Sequence, residues 1–402
     1  MDYLRCWTSD GPQALAGLIV LGIVVQVTCL FLVRNTARLR RLVAASVLWH
    51  VIIYLFFSFW FMPFYRDGLD AYGYHHDAIY LAQFVRSASF GNIPFSLGTE
   101  AVSAVIAFIY APFGGDVYGM LFFCTSIGLL SATVFCKAFA GTPASGETER
   151  LYFFFVLFWP SICLWSCLLG KDSIVTLGLA LASLGTSRFL KSKHQQAVAP
   201  FLLGLTLVTL FRPHIALAVM IASAAAAMWP RAGSQLRNKG AVVAFLVMLP
   251  AIFAPIVMNF LAMPDLTLQN MEDIASKISE GYNIGGSAMG NSYGGIAGIP
   301  IGMMNLLIRP YPWEIQSLNT GLAAAENVLL VGLLALAARR IRQVWICLQG
   351  SRYLLFCTLL SLELLIILSP ISNAGLASRE RAQFLPFMLA CLAPAGLRSR
   401  TP

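Results

Sequence analysis

The chain has 402 residues, of which 58% are hydrophobic and only 11% are charged, and its mean hydropathy is +0.75. About a quarter of the residues of a water-soluble globular protein are charged, so this composition excludes that class. Apolar runs recur to the C-terminus and predict an all-α, polytopic membrane protein with a single transmembrane domain over 1–402. The formal charge is +9. In a membrane protein, the meaning of the basic residues depends on which side of the membrane each one faces, so we expect no nucleic-acid partner.

We predict eleven membrane-spanning helices, several of which are shorter than the usual length of about 20 residues and tilt or hinge at a proline. They lie at 12–33, 43–64, 117–137, 151–169, 173–188, 197–211, 214–230, 240–262, 321–338, 353–370 and 383–397. The first segment is longer than the core of a signal peptide and precedes a cluster of arginines, so we expect it to be retained. The connections at 65–116 and 263–320 are long, and the others are short.

Basic residues indicate which side of the membrane each connection faces, because Lys and Arg accumulate in cytoplasmic loops. If the N-terminus is outside, 18 of the 27 Lys and Arg residues lie on the inner side. Of the acidic residues, only Glu147 and Glu149 lie inside, while Glu326 and Glu363 fall within spans. The sequence predicts an N-out, C-in protein of the bacterial inner membrane, with both long loops in the periplasm.

The two long outer loops contain apolar stretches that are too short to span the membrane. The apolar residues of 78–85 repeat at helical spacing and predict an interfacial helix. Val102–Phe113 predicts a re-entrant segment. In the second loop, the glycines of 285–295 favour either a mobile gate over a substrate site or a disordered connection.

Acidic and imidazole side chains cluster directly after the second span, at Asp67, Asp70, His75, His76 and Asp77. A carboxylate at the membrane edge can take a proton from an attacking hydroxyl or hold a divalent cation. Asp77 is the predicted base, Asp70 its support or a metal ligand, and His76 a substrate contact. Adjacent residues on a helix point apart, so this run does not predict a zinc-type metal centre. A solvated polar loop is the alternative.

Lys171 and Asp172 lie at an outward turn between two predicted spans. A lysine that faces a cavity there would neutralise phosphate as a compact cation. The alternative is that both residues only stabilise helix ends, with Asp172 at the N-terminus of the next helix.

Four of the outward arginines lie beside prolines or polar residues, on the side of the membrane where arginine should be scarce. They are Arg212, Arg309, Arg379 and Arg381. A charge at the hydrocarbon edge is costly unless it is paired or solvated, and guanidinium groups bind phosphate in a bidentate manner. We therefore expect a phosphate-containing ligand, with Glu314 in the same binding region. The alternative is pairing of the arginines with Asp172, Glu314 or Glu380, or with phospholipid head groups.

These motifs together resemble those of bacterial polysaccharide-biosynthesis membrane proteins, most of all the C-type glycosyltransferases and the O-antigen-polymerase-type proteins. The motifs are Asp77 with Tyr80, Lys171-Asp172, Arg212-Pro213, Arg309-Pro310-Tyr311-Pro312-Trp313-Glu314, and Arg379-Glu380-Arg381 to Pro386. The resemblance extends from Arg66 to Pro386, which is most of the chain.

Resemblance to the C-type transferases implies a polyprenyl-phosphate sugar donor, an outward active site and an acidic base in the first outer loop. Asp77 would have this role, with Asp70 as second choice, and a divalent cation such as Mg or Mn takes part in some members. Resemblance to the polymerase-type proteins implies instead that Arg212, Arg309 and Arg379 anchor the undecaprenyl pyrophosphates of donor and acceptor.

We therefore expect an enzyme that transfers or polymerises lipid-linked sugars for exopolysaccharide, O-antigen or capsule assembly. Its expected phosphate binders are Lys171, Arg212, Arg309, Arg379 and Arg381. Its expected partners are a lipid-linked donor and acceptor, membrane lipids and other polysaccharide-assembly proteins. The chain has no Walker-type loop, so the lipid-linked sugar must supply the energy. The alternative is a non-catalytic flippase or scaffold of the same pathway, which predicts charge along a path through the membrane.

Overall fold

A computed structural model describes residues 10–65, 70–142, 146–229, 239–265, 267–282 and 295–396. Over these residues the protein is all-helical, as predicted. The helices are α1 (Pro12–Leu32), α2 (Ala37–Phe56), α3 (Met62–Tyr65), α4 (Asp70–Arg86), α5 (Thr99–Phe113), α6 (Val117–Phe139), α7 (Gly146–Phe158), α8 (Pro160–Ser166), α9 (Lys171–Leu190), α10 (His194–Phe211), α11 (Pro213–Met228), α12 (Lys239–Phe260), α13 (Leu268–Tyr282), α14 (Ile299–Ile308), α15 (Leu318–Arg339), α16 (Ile341–Gly350), α17 (Arg352–Leu368) and α18 (Ala374–Leu392). A π-helical turn at Phe57–Phe61 joins α2 to α3.

Six helices in the described part of the chain are long and apolar enough to cross a membrane. They are Pro12–Leu32, Ala37–Phe61, Val117–Phe139, Lys171–Leu190, His194–Phe211 and Leu318–Arg339. A seventh crossing results if α16 and α17, which are bent by 115°, form one span. The protein is therefore a multi-pass membrane protein by the length and composition of its helices, and the number of eleven crossings stays a prediction.

The other predicted spans also contain helix. α12 is continuous over most of the span at 240–262, whereas the helices in several other spans are shorter or broken. The predicted span at 151–169 consists of α7 and α8, which are separated at Trp159. Trp159 has an extended conformation, with φ −66° and ψ 122°, because the residue before a proline avoids the helical region. The Pro160 ring therefore divides a segment that hydrophobicity alone predicts as one helix.

The described residues pack as two compact units. Unit 1 contains those of Met1–Ala138, Phe153–Gly185 and Val198–Arg212, and unit 2 contains those of Phe139–Tyr152, Thr186–Ala197 and Pro213–Pro402. Each unit combines segments that are distant in sequence. The single transmembrane domain over 1–402 stays a prediction.

In unit 1, small residues let α9 and α10 approach closely. A β-carbon on Gly204 would lie 2.4 Å from the backbone nitrogen of Ala182 and 2.5 Å from the carbonyl oxygen of Gly178. One on Gly185 would lie 2.7 Å from the backbone of Phe201. Such close backbone contact is typical of helices that pack in a membrane through glycine and alanine. Because the pairing is antiparallel, the start of α9 lies beside the end of α10.

The first outer loop folds into α4 and α5, which pack against each other in unit 1. The apolar residues predicted as an interfacial helix form part of the face of α4 that is buried, with Ala78, Leu81 and Ala82. The predicted re-entrant segment corresponds to α5, a helix of 15 residues. The re-entrant position of α5 in the membrane stays a prediction.

In unit 2, α14 packs closely on α17 and also contacts α15 and α18. A β-carbon on Gly302 of α14 would lie 2.2 Å from the carbonyl oxygen of Ser369, which follows α17. This approach brings the C-terminus of α14 to the charged part of α18. The predicted gate over 285–295 lies outside the described residues, apart from Gly295.

Candidate functional site

Arg212 and Asp172 form a buried ion pair in unit 1. Nη2 of Arg212 lies 3.6 Å from Oδ1 of Asp172, and the two side chains are 7% and 3% exposed. Asp172 is in the first turn of α9, and Arg212 follows the last residue of α10. The helix dipoles favour a negative charge at the first position and a positive charge at the second. The ion pair is therefore stabilised by both helix ends and by the close packing of α9 on α10.

The turn at 167–171, which we call the Lys171 turn, lies against α4. Ring carbons of Tyr74 lie 3.5 and 3.6 Å from the place that a β-carbon on Gly170 would occupy. Tyr74 and Asp77 are one helical turn apart on α4. The half-buried Lys171 and the acidic helix α4 therefore belong to contacting elements of the same unit.

Asp70, His76 and Asp77 are exposed on α4. Seven residues correspond to almost two full helical turns, so Asp70 and Asp77 share one side of the helix, roughly 10 Å apart along its axis. Within the described part of the chain, no three His, Cys, Asp or Glu side chains come together to hold a metal ion.

His75 differs from its neighbour His76 in being buried between α4 and α5. Its Nδ1 lies 2.8 Å from the hydroxyl oxygen of Tyr110, and the two rings are perpendicular, at 85°. His75 therefore links the two helices of the first outer loop, while His76 points to the exposed side. The two imidazoles therefore lie on different sides of α4.

In unit 2, Arg309 and Glu314 form an ion pair in the loop between α14 and α15. Nε of Arg309 donates to Oε1 of Glu314 at 2.9 Å, and the backbone N–H of Tyr311 donates to Oε2 at 2.9 Å. Partial burial raises the pKa of the Glu314 carboxyl, but these hydrogen bonds lower it by more, so the pKa lies below its ordinary value of 4.5. Glu314 is therefore a carboxylate at neutral pH and holds the loop in one conformation.

Two side chains from other helices hold the C-terminal end of α14. Nη1 of Arg381 donates to the carbonyl oxygen of Leu307 at 2.8 Å. Nδ2 of Asn327 donates to the carbonyl oxygens of Ile308 and Pro310, each at 3.1 Å. The last carbonyls of a helix lack partners within the helix and attract cationic or amide donors. These contacts fix the position of the Arg309 loop relative to α15 and α18.

Arg381 is completely buried, and its Nη2 lies 3.8 Å from Oε1 of Glu326. Arg379 and Glu380 are also buried, and Oε2 of Glu380 accepts a hydrogen bond from Gln383 at 2.9 Å.

The predicted alternative, in which the arginines pair with carboxylates of the protein, is confirmed for Arg212 with Asp172 and for Arg309 with Glu314. Arg381 pairs instead with Glu326, which the sequence alone does not identify as its partner.

Glu326 and Asn327 are the site residues that sequence reasoning missed. They are adjacent polar residues within the apolar helix α15, and both are buried. A carboxylate within a membrane segment generally needs a partner, and this was the available signal. The partner could not be predicted, because Arg381 is distant in sequence and reaches Glu326 only through the packing of α15 and α18.

No protein-family model matches the chain, no curated protein matches its sequence, and no solved structure matches its fold. Over the described residues, the long apolar helices define a multi-pass, all-helical membrane protein. The resemblance to polysaccharide-biosynthesis proteins stays a prediction.

Proposed function

We propose that the protein is a bacterial inner-membrane enzyme that transfers or polymerises sugars from polyprenyl-phosphate- or pyrophosphate-linked donors on the periplasmic face. The proposal includes eleven crossings, with the N-terminus outside and the C-terminus inside. In this topology the predicted site residues of α4, of the Lys171 turn, of the Arg309 loop and of α18 all lie on the outer side. The distribution of Lys and Arg between the short connections supports this orientation.

The contact between α4 and the Lys171 turn is the observation that carries the proposal. It brings the helix with the exposed Asp77 carboxylate against the turn with the Lys171 ammonium. Glycosyl transfer requires a base for the acceptor hydroxyl and positive charge for the departing phosphate. Unit 1 contains both groups on contacting elements.

In the proposed reaction, the acceptor hydroxyl oxygen forms a bond to the anomeric carbon of the donor sugar. The bond between this carbon and the phosphate oxygen breaks, and its electron pair leaves with the lipid phosphate. Asp77 takes the proton of the hydroxyl, and Lys171 balances the charge of the phosphate. Asp172 and Arg212 act as positioning residues, because their ion pair fixes the first turn of α9 beside Lys171.

We assign Arg309 and Arg379 to the phosphate of a second lipid-linked saccharide, which a polymerisation step requires. Arg381 is completely buried and acts as a positioning residue, because it holds the end of α14 through Leu307. Glu314 and His76 would contact sugar hydroxyls, which carboxylates and imidazoles bind through hydrogen bonds. The expected partners are a lipid-linked donor, a lipid-linked acceptor and other polysaccharide-assembly proteins. Both lipid-linked substrates carry their charged phosphate groups at the membrane surface and their polyprenyl chain in the bilayer.

Replacement of Asp77 by Asn tests the base. The side chain is exposed, so the variant should accumulate in the membrane as the wild type does, because surface substitutions usually change stability by less than about 0.5 kcal/mol. The purified variant should not extend lipid-linked saccharide. Glu100→Gln is the matched control, since Glu100 is also an exposed acid of the first outer loop and should be dispensable. Normal extension by Asp77→Asn would contradict the assignment.

A non-catalytic flippase or scaffold is the second candidate. It is favoured by the buried ion pairs themselves, because Arg212 and Arg381 already contact carboxylates of the protein. Purified protein in vesicles that contain lipid-linked saccharide separates the two functions. An enzyme lengthens the saccharide, whereas a flippase moves it between leaflets at constant length and a scaffold does neither.

A further inference from the structure

Two stacked aromatic rings project from the Arg309 loop of unit 2. The rings of Tyr311 and Trp313 are almost parallel, at 15°, and their centroids are 4.8 Å apart. Trp313 is nevertheless 79% exposed, which is more than any other large hydrophobic residue in the described part of the chain. One face of the indole thus stacks on Tyr311, and most of the side chain is open to a ligand.

The loop beneath these rings is held in place by several polar contacts. Glu314 binds both the Arg309 side chain and the backbone N–H of Tyr311. The guanidinium of Arg309 also lies over the Tyr311 ring, 5.7 Å from its centroid. Asn327 holds the carbonyls on either side of Arg309. An exposed ring on an anchored loop loses little conformational entropy when it binds a ligand.

The ligand that fits an open indole beside a carboxylate and a guanidinium is a sugar ring. The C–H bonds of a pyranose face carry partial positive charge and are attracted to the negative face of an aromatic ring. The hydroxyl groups at the ring edge donate to carboxylates and accept from guanidinium groups. The Arg309 loop presents all three partners within six residues, 309–314.

We propose that Trp313, supported by Tyr311, is a stacking platform for a pyranose ring of the growing saccharide, and this rests on the proposed function in polysaccharide assembly. The platform binds sugar without touching the reacting atoms, so Trp313 is a specificity and positioning residue. An alternative use of an exposed tryptophan is to anchor a membrane protein at the lipid interface. A lipid anchor would not require the rigid polar loop that orients the two rings, so we favour the saccharide.

The test uses the full chain in lipid nanodiscs and oligosaccharides released by mild acid from the lipid-linked fraction of the host. Binding is followed by tryptophan emission and by calorimetry for the wild type, Trp313→Phe and Trp313→Ala. The matched control is Trp345→Phe, since Trp345 is 55% exposed on α16 of the same unit. A parallel series with brominated phosphatidylcholine measures contact of Trp313 with lipid.

We expect oligosaccharide to change the emission of the wild type and of Trp345→Phe, and not the emission of Trp313→Phe. Affinity should fall about tenfold in Trp313→Ala and less in Trp313→Phe, which keeps a ring, because an aromatic contact contributes about 0.5–1.5 kcal/mol beyond burial. Trp313 should be quenched only weakly by brominated lipid.

Oligosaccharide binding that does not depend on Trp313, or no binding by the wild type, would overturn the platform. Strong quenching of Trp313 by brominated lipid, unchanged by oligosaccharide, would overturn it in favour of a lipid anchor. Failure of the proposed function has a different signature, which is Trp313-dependent binding by a protein that does not extend lipid-linked saccharide.

Discussion

Two pairs of oppositely charged side chains are buried in the described part of this protein. Asp172 and Arg212 in unit 1, and Glu326 and Arg381 in unit 2, are each almost inaccessible to solvent. Burial of one charge is costly, and the cost is offset only when an opposite charge is close. The first ion pair therefore joins two helix ends, and the second joins the interiors of α15 and α18.

Replacement of Asp172 tests how much the buried ion pair of unit 1 contributes to stability. Replacement by Asn should lower the free energy of unfolding by about 3–5 kcal/mol, because it leaves the buried Arg212 without its counter-charge. Thermal unfolding of the purified protein in detergent measures the loss. The double variant Asp172→Asn with Arg212→Gln is the control and should be more stable than Asp172→Asn alone. Equal stability of Asp172→Asn and the wild type would show that the ion pair contributes little.

The second prediction concerns the pH dependence of Glu314. Its pKa in the folded protein is below the ordinary 4.5, because hydrogen bonds from Arg309 and Tyr311 outweigh the effect of partial burial. The carboxylate therefore stabilises the loop above about pH 4.5, and this contribution is lost as the pH falls through the lowered pKa. Trp313 emission should report the transition in the wild type, and Glu314→Gln should not show it. The same transition in both proteins would assign it to another group.

The packing of neighbouring helices depends on glycines that let their backbones approach closely. Gly204 and Gly178 allow α9 and α10 to touch, and this contact brings Asp172 beside Arg212. In unit 2, Gly302 has the same effect for α14 and α17. Both contacts involve backbone atoms, which cannot move aside as a flexible side chain can.

The third prediction follows from this close approach. Gly204→Ala should destabilise the protein by roughly 1–3 kcal/mol, because the added methyl group would overlap backbone atoms of α9. It should also weaken activity by separating Asp172 from Arg212. Gly332→Ala is the control: a β-carbon there meets nothing within 4 Å, and alanine favours helix. A Gly204→Ala variant as stable as Gly332→Ala would contradict the packing of α9 on α10.

The helices were predictable from the sequence where a long apolar run has clear ends. The segments 12–33 and 117–137 correspond to Pro12–Leu32 and Val117–Phe139. Local ion pairs were also predictable, as Arg309 and Glu314 are five residues apart. The Arg381–Glu326 pair was not predictable, because its partners meet only after α15 and α18 pack. Spacing along the chain contains no information about such a contact.

For the whole molecule, the charge distribution predicts which side each loop faces. A reporter that is active only outside the cytoplasm, fused after Asp77 or after Asn319, should be active in both fusions. A fusion after Arg340 should be inactive, since that arginine lies in a predicted inner connection. Activity after Arg340, or its absence after Asp77, would reverse the predicted orientation and remove the site residues from the outer face.

In the proposed function, the protein adds sugars to a lipid-linked saccharide. The most direct measurement is chromatography of the lipid-linked saccharides that accumulate when the gene is deleted in its host, together with the length of the surface polymer. A complete repeat unit that accumulates on polyprenyl pyrophosphate would identify a polymerase, and a unit that lacks one sugar would identify a single-sugar transferase. An unchanged pool of lipid-linked saccharides and a surface polymer of normal length would contradict the proposed function.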